Sequence, residues 1–448
     1  MTDTMPHAPA PAPDEVMDDS AFVLAHGGDW NDVASEVARL QEERIVISMG
    51  PQHPSTHGVL RLVLELDGEY VKETRVGLGF LHTGIEKTME ARSWNQAVTM
   101  VSRCDYVASM CNELTYCLAV DKLLGITDQI PERAQIIRVL IAELARVSSH
   151  LVALGSLGNE LGGTTLMTVT FRGREYILNF FEAVTGQRMN NAFIRPGGVA
   201  HDIPDEAIDQ LIADWDKIML SIDDLDDLLT ENPIFRGRCE GVGVLDLSAC
   251  MALGLTGPIL RSTGYPYDLR KVAPYSGYEN YEFDVCTEDS CDVMGRYLVR
   301  LHEMRQSMRI VAQALAKLRA TPGPIMVPDL RIAMPGQVTV GPDGQGQAPD
   351  HVKHILSDSM EGLIHHFKLV TEGFHVPPGQ VFAQTEHPKG VQGVLAVSDG
   401  GTHPYRVHVR DAAFNNLQSL AAQTEGGTIS DVIVCVASVD PVMGGVDR

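Results

Sequence analysis

Long-range helical periodicity constrains this chain more than any other feature. Three segments repeat apolar residues at intervals of three and four, the spacing that gathers them on one face of an α-helix. In 131–154 the stripe is Ile137, Leu140, Leu144, Val147, Leu151 and Leu154, opening at Pro131, a residue suited to a helix's first turn. In 205–229 it is Ile208, Leu211, Trp215, Ile218, Ile222, Leu225 and Leu229, and the Asp-rich remainder reads as a solvated face rather than a metal site. In 289–319 it is Met294, Leu298, Leu301, Met304, Met308, Val311, Leu315 and Leu318, stopped by Thr321-Pro322-Gly323-Pro324. Residues 93–122 also read as helical, with a less regular stripe. Helices of this kind bury their stripes against one another, so a helical bundle is expected.

Alternating segments flank the bundle. RIVISMG (44–50) and VLRLVLELDGEYVKETRVGLG (59–79) read as strands, with Asp67-Gly68 as a hairpin turn. Beyond 323 a Pro/Gly/Asp-rich loop (334–350) leads to a short helix over 359–372. Strand-like VFAQTE, VLAVSDGG, PYRVHV and DVIVCVAS follow. The expected class is α+β: a central helical bundle framed by small N-terminal and C-terminal sheets. Residues 1–40 read as a solvated Pro/Ala/Asp tail, disordered until something holds it. Residues 41–448 read as one domain, with an N-terminal sheet and loop (41–92), a bundle (93–322) and a C-terminal α+β region (323–448).

Composition narrows the function. The chain has 448 residues, 44% of them hydrophobic, and no stretch approaches the roughly 18 uninterrupted apolar residues of a membrane span. Thirty-five basic against 59 acidic residues leave a net charge of -24, which argues against nucleic acid and against unaided docking on anionic lipid. A partner with positive surface suits it better. Neither GxGxxG nor GxxxxGK[ST] occurs, so no nucleotide site is indicated. The eight cysteines form no CxxC pair, and the N-terminus has neither the basic start nor the apolar core of a secretion signal. Reduced cysteines in a cytoplasmic protein are the simplest reading, with Cys111 and Cys117 as small core residues.

Three segments could carry chemistry. The loop GPQHPSTHG (50–58) holds His53 and His57 between two strands, a rigid mount for an imidazole, or simply a turn whose rings bind backbone. A two-histidine metal site lacks a third ligand at a suitable spacing. In SRCDYVASMCNELTYCLAV (102–120), Arg103, Asp105, Tyr106, Asn112 and Glu113 interrupt an apolar run, which calls for salt-bridge partners or a function. Tyr106 could donate a hydrogen bond, and a proton, to a carbonyl. Glu160, ten residues after His150 in Gly-rich surroundings, reads either as a helix-end group or as a catalytic acid.

Taken in order, GPQHPSTHGVLRLVLELDGE, GFLHTGIEKTME, RCDYV, IRPGGV, LRKVAPYSGYENYEFDV, EMRQSMRI, MEGLIHHFKLVTEG, VSDGG and the terminal DPVMGGVDR closely resemble the D-subunit family of the proton-pumping NADH:quinone oxidoreductase, respiratory complex I. The resemblance runs from about Glu43 to Arg448. It implies a peripheral-arm subunit built like the large subunit of a nickel–iron hydrogenase without its metal. Such hydrogenases end in Asp-Pro-Cys-x-x-Cys-x-x-His. Here that spacing reads Asp440, Pro441, Val442, Gly445 and Arg448, so the soft ligands nickel requires are missing.

The resemblance also implies a quinone headgroup site shared with a B-type subunit that carries an iron–sulfur cluster. The family's histidine matches His57 and its tyrosine matches Tyr106, one hydrogen-bond donor for each quinone carbonyl. The acid beneath the histidine matches Glu160, where the family usually has Asp. Together they would be the catalytic groups, an imidazole held by a carboxylate near neutral pKa, with His53, Asp105 and Arg103 as pocket support. Quinone would be a substrate, and no metal or flavin would be held by this chain. Partners would be other complex I subunits, chiefly the B-type, C and H subunits, at the cytoplasmic face of a bacterial membrane. The sequence departs from the family where Thr164-Thr165-Leu166-Met167 replaces Thr-Pro-Phe-Phe, and where Pro388-Lys389-Gly390-Val391 replaces Pro-Lys-Gly-Glu. The competing readings are a scaffold whose chemistry sits on neighbouring subunits, and a working hydrogenase subunit, which the missing cysteines disfavour.

Overall fold

The structure, a computed structural model, describes residues 45–339 and 349–448. The tail expected over 1–40, Arg44, and residues 340–348 of the loop expected over 334–350 lie outside the described residues. A first antiparallel sheet comprises β1 (Ile45–Met49), β2 (Arg61–Asp67) and β3 (Tyr70–Gly77), in that order. Ile45 pairs with Leu66 and Met49 with Leu62, and the β2–β3 register shifts once, between Glu65 and Leu66. Leu60, Leu62, Leu64 and Leu66 bury one face of β2, the period-two pattern the sequence carries.

The longer helices follow: α1 (Ile85–Glu90), α2 (Trp94–Val101), α3 (Ser109–Leu124), α4 (Glu132–Glu160), α5 (Thr164–Thr185), α6 (Asp205–Leu229) and α7 (Val293–Ala320). Helix α4 is the axis of the bundle. It packs against α5 on one side and α7 on the other, α6 lies along α5, and α6 and α7 meet. Pro131 is the N-cap of α4 rather than its first residue, and Asp292 caps α7 through the Gly295 N–H.

The bundle differs from the sequence expectation in two places. The 93–122 run is not one helix: it breaks at 102–108, where the Asp105 carboxylate accepts the Val107 and Ala108 N–H groups at 3.0 Å. That local capping competes with the helical ladder. Helix α5 has no counterpart among the expected elements, since Gly162-Gly163 and a Thr-rich first turn obscure its stripe.

A two-residue pair, β4 (Ile194–Arg195) and β5 (Gly198–Val199), precedes the C-terminal region. There α8 (Pro349–Asp358) and α9 (Met360–Thr371) lead into β6 (Gly379–His387), β7 (Gly390–Ser398) and β8 (Arg406–Arg410), an antiparallel sheet in sequential order. Helix α8 begins at the end of the expected loop. DVIVCVAS is helical, not a strand: it lies in α10 (Ile429–Val439), which Thr428 and Asp431 open with reciprocal capping bonds. From Val434 to Val439 every α10 side chain is buried, and that β-branched run reads as a strand from the sequence. A second hydrophobic cluster joins β2, α10, Leu255–Leu260 and Met443, and sets the 50–58 loop beside the C-terminus. Among the described residues no helix is long and apolar enough to cross a membrane.

Candidate functional site

The loop between β1 and β2 is built to be rigid. Gly50 takes φ +86°, and a Cβ there would lie 2.1 Å from the Leu60 carbonyl oxygen, so only glycine fits. The Thr56 hydroxyl donates to the Pro51 and His53 carbonyls at 3.2 and 3.0 Å. His53 caps the short turn 54–56, its Nδ1 accepting the Ser55 N–H at 3.2 Å. For this ring the backbone-binding reading is what the structure shows. His57 follows in the left-handed region at φ 52°, half-buried, with no hydrogen-bond partner among the described residues.

Glu160, at the last turn of α4, does reach this loop, but through Ser55, whose hydroxyl donates to Oε2 at 2.5 Å. The expected direct His57–Glu160 pair is therefore not formed. A carboxylate already bonded to a hydroxyl in the same loop acts on the imidazole through its charge alone. Burial lowers the His57 pKa, the Asp440 and Glu160 carboxylates oppose that, and Lys389 adds to it. The net direction is down, which favours the neutral ring at pH 7.

Tyr106 feels some of the same charges. It lies half-buried in the 102–108 break, beside the C-terminal segment. A Cβ at Gly444 would meet the Arg103 and Cys104 carbonyls at 2.6 and 2.8 Å and the Tyr106 ring at 3.3 Å. Burial raises the phenol pKa, Asp105 and Asp440 raise it further, and Lys389 and the Met443 N–H pull it back.

Lys389 links the two halves. It lies at the tip of the β6–β7 hairpin, 4% exposed, with Nζ 3.2 Å from Asp105, 3.4 Å from Asp440 and 2.6 Å from the Ser149 hydroxyl. Burial alone would lower its pKa, but the two carboxylates raise it above the ordinary lysine value. Burial likewise works against Asp105, yet Lys389, His387 and the Ala108 N–H hold it well below the usual carboxylate range. The result is a buried carboxylate–ammonium–carboxylate row whose charges act on both Tyr106 and His57.

Arg103 does not join this group. Its side chain is exposed and donates to the Thr99 carbonyl, and it forms no ion pair among the described residues. Its nearest acidic neighbour in sequence, Asp105, is turned inward to Lys389, which leaves the expected salt bridge unmade. Asn112 donates to the Asp105 carbonyl at 3.1 Å. Glu113 accepts the Ala192, Phe193 and Ile194 N–H groups at 2.7 to 3.0 Å, and burial pushes it up to about 7. His150 is a core residue: it meets Glu303 at 3.0 Å, and burial pushes it down to about 4. Cys111 and Cys117 are buried as expected. Sequence reading missed Lys389, His387 and Ser55 as members of the site; the Pro-Lys-Gly motif was the one visible signal.

The family and the relatives agree with this arrangement of motifs. Residues 160–448 match the family described as respiratory-chain NADH dehydrogenase, 49 kDa subunit. A Streptomyces coelicolor protein, named as a D subunit of NADH-quinone oxidoreductase, is 59% identical over 98% of this chain and 99% of its own length. The chain belongs to the 49 kDa subunit family. The protein of the same name in Rhodococcus jostii is 57% identical over 96% of this chain and 100% of its own, and that in Mycobacterium avium is 59% identical over 95% and 97%. These alignments cover nearly the whole chain.

Proposed function

We propose that this 49 kDa-family chain is a subunit of a proton-translocating NADH:quinone oxidoreductase and supplies the quinone headgroup site. One observation carries the reading: His57 and Tyr106, far apart in sequence, are each only partly buried and both feel the charges of the buried Lys389–Asp440 pair. The chemistry needs two donors, one for each oxygen on which negative charge develops during reduction. A neutral imidazole and a phenol held protonated by burial are such donors. Two electrons arrive singly from an iron–sulfur cluster on a B-type neighbour. Tyr106 gives its O–H proton to one quinone oxygen, a second proton arrives by way of His57, and quinol leaves. Glu160 fixes the loop through Ser55 and biases His57 by its charge, and His53 caps the loop.

The scaffold is read as that of a nickel–iron hydrogenase large subunit over 41–448, whose emptied metal cavity takes the quinone headgroup. A Cβ at Gly445 would lie 2.2 Å from the Asp411 carboxylate, so a cysteine there would have to displace that side chain. The chain is inactive alone: the C and H subunits complete its surroundings, and the assembly holds it peripherally at the cytoplasmic face of the cell membrane. Moving charge at the Asp105–Lys389–Asp440 row is the step that biases proton translocation.

Photo-labelling of the assembled complex by an azido-quinone tests this against a scaffold role. Adducts are expected within 50–58 and around Tyr106, and are lost on competition with excess quinone. Labelling confined to other subunits contradicts the reading.

A further inference from the structure

Hairpin tips ordinarily lie at surfaces, where their polar groups meet water. The β6–β7 tip does the opposite: Thr385, Glu386, His387, Lys389 and Gln392 are each at most 4% exposed. It is seated against the loop before Pro258, where a Cβ on Gly257 would lie 2.5 Å from the Gly390 Cα. Two of its three ionisable side chains are fully committed. Glu386 accepts from Arg261 and the Leu269 N–H, and Lys389 is held by Asp105, Asp440 and Ser149. His387 is not. Its Nδ1 faces Asp105 Oδ2 at 3.5 Å, and its Nε2, fully buried, has no hydrogen-bond partner among the described residues.

That arrangement fixes the ring's proton. A neutral imidazole carries one N–H, and a lone pair turned toward an ionised carboxylate is repelled, so the N–H sits on Nδ1. Nothing at Nε2 competes for it. Three charged groups face the ring: Asp105 from the 102–108 break, Lys389 from its own hairpin and Arg146 from α4. Burial, Lys389 and Arg146 lower its pKa against the pull of Asp105, so at pH 7 it offers Asp105 a donor rather than a charge. At 3.5 Å the contact is long for a hydrogen bond, and contacts of this kind tighten when a substrate closes a site. Asp105 immediately precedes Tyr106, and its charge is one of those holding the phenol's proton in place.

We infer that His387 is a positioning residue for Tyr106: by directing Nδ1–H at Asp105 it draws that carboxylate's charge away from the phenol and keeps the phenol proton transferable. This rests on reading Tyr106 as the proton donor to quinone. No electron and no proton passes through His387. The Tyr106 O–H proton goes to the quinone oxygen, the phenolate recovers a proton from water, and the imidazole keeps its N–H throughout.

The test uses the assembled, purified complex carrying His387→Leu, which removes the donor, and His387→Gln, whose amide restores one. NADH:ferricyanide activity normalises for assembled complex, and a short-chain quinone is the acceptor. For His387→Leu the expected result is a kcat roughly ten-fold lower, KM unchanged, and the alkaline limb of the pH–rate profile moved up by about one pH unit, as a ten-fold weaker phenol acid requires. His387→Gln should recover most of both. A His387→Leu complex with parental kcat and pH profile, even at reduced yield, overturns the inference, since a packing role alone would do that. A raised KM with kcat intact overturns it too, by placing His387 against the quinone. If Tyr106→Phe itself turns over normally, the reading of Tyr106 fails first; a Tyr106→Phe loss beside a normal His387→Leu profile sinks this inference alone.

Discussion

Replacing Tyr106 with Phe should leave assembly, NADH oxidation by ferricyanide and cluster reduction intact while slowing quinone reduction by about 10²–10⁴-fold, the usual contribution of a positioned general acid. The substitution keeps the ring, so its packing against Gly444 is preserved. What it removes is a phenol that burial keeps protonated and that Lys389 and the Met443 N–H keep from being too weak an acid. Electrons should still fill the chain of clusters, and NADH should reduce them at the parental rate. They should then wait, because charge arriving on the quinone oxygen finds no proton. Turnover measured with a membrane-extracted quinone and with a short-chain analogue should fall together. A fall with only one of them would place Tyr106 against the tail rather than the headgroup.

The second large effect is expected at Lys389. Lys389→Met keeps most of the side-chain volume but leaves Asp105 and Asp440 facing each other in the interior without a cation. Removing one partner of a buried ion pair costs about 3–5 kcal/mol, because the remaining charge keeps its desolvation penalty. The melting temperature of the complex should drop accordingly, and quinone reduction should fall with it, since both donors lose their common counter-charge. The pH dependence follows in sign. In the parent, Asp105 titrates below its unfolded value, so its contribution to stability is present above that value and lost as pH falls through the lower, folded one. Without Lys389, burial is opposed only by His387 and the Ala108 N–H, so the folded carboxyl should titrate higher than in the parent. The deficit should then be greatest at neutral pH and shrink as pH falls toward the ordinary carboxylate pKa of about 4. Pairing the variant with Asp105→Asn should recover part of the loss, a coupling expected of residues in direct contact.

Much of this architecture is written in local pattern. Helix α6 runs Asp205–Leu229, the span its stripe marks out, because that stripe has one buried and one solvated face. β2 and β3 turn at the Asp-Gly pair, and Gly68 takes the positive φ that such a turn requires. Local pattern fails where a short helix is rich in β-branched residues. In α10 the run Val432–Ala437 is apolar and mostly β-branched, so the Thr428–Asp431 cap is the clearest sign that it is not a strand. It fails again at 102–108, where a carboxylate turns the backbone back on itself and is stabilised by a lysine from a distant hairpin.

The site divides in the same way. His57, Tyr106 and Glu160 are reachable through ordered motifs, and the rigidity of the 50–58 loop follows from Gly50, Thr56 and His53. The Lys389 bridge is a tertiary fact, as is the Ser55 bond to Glu160. No spacing in the sequence announces that a hairpin tip will be driven into the core with its charges. The exposure of Arg103 is likewise not legible in the sequence, since which face of a turn looks inward is decided by what packs against it.

A map of the intact complex with a bound quinone analogue bears most directly on the account. It should show one carbonyl oxygen within hydrogen-bonding distance of a His57 ring nitrogen and the other within reach of the Tyr106 hydroxyl, above an unbroken Asp105–Lys389–Asp440 row. A headgroup bound elsewhere, with packed side chains filling the space between that imidazole and that phenol, would contradict it.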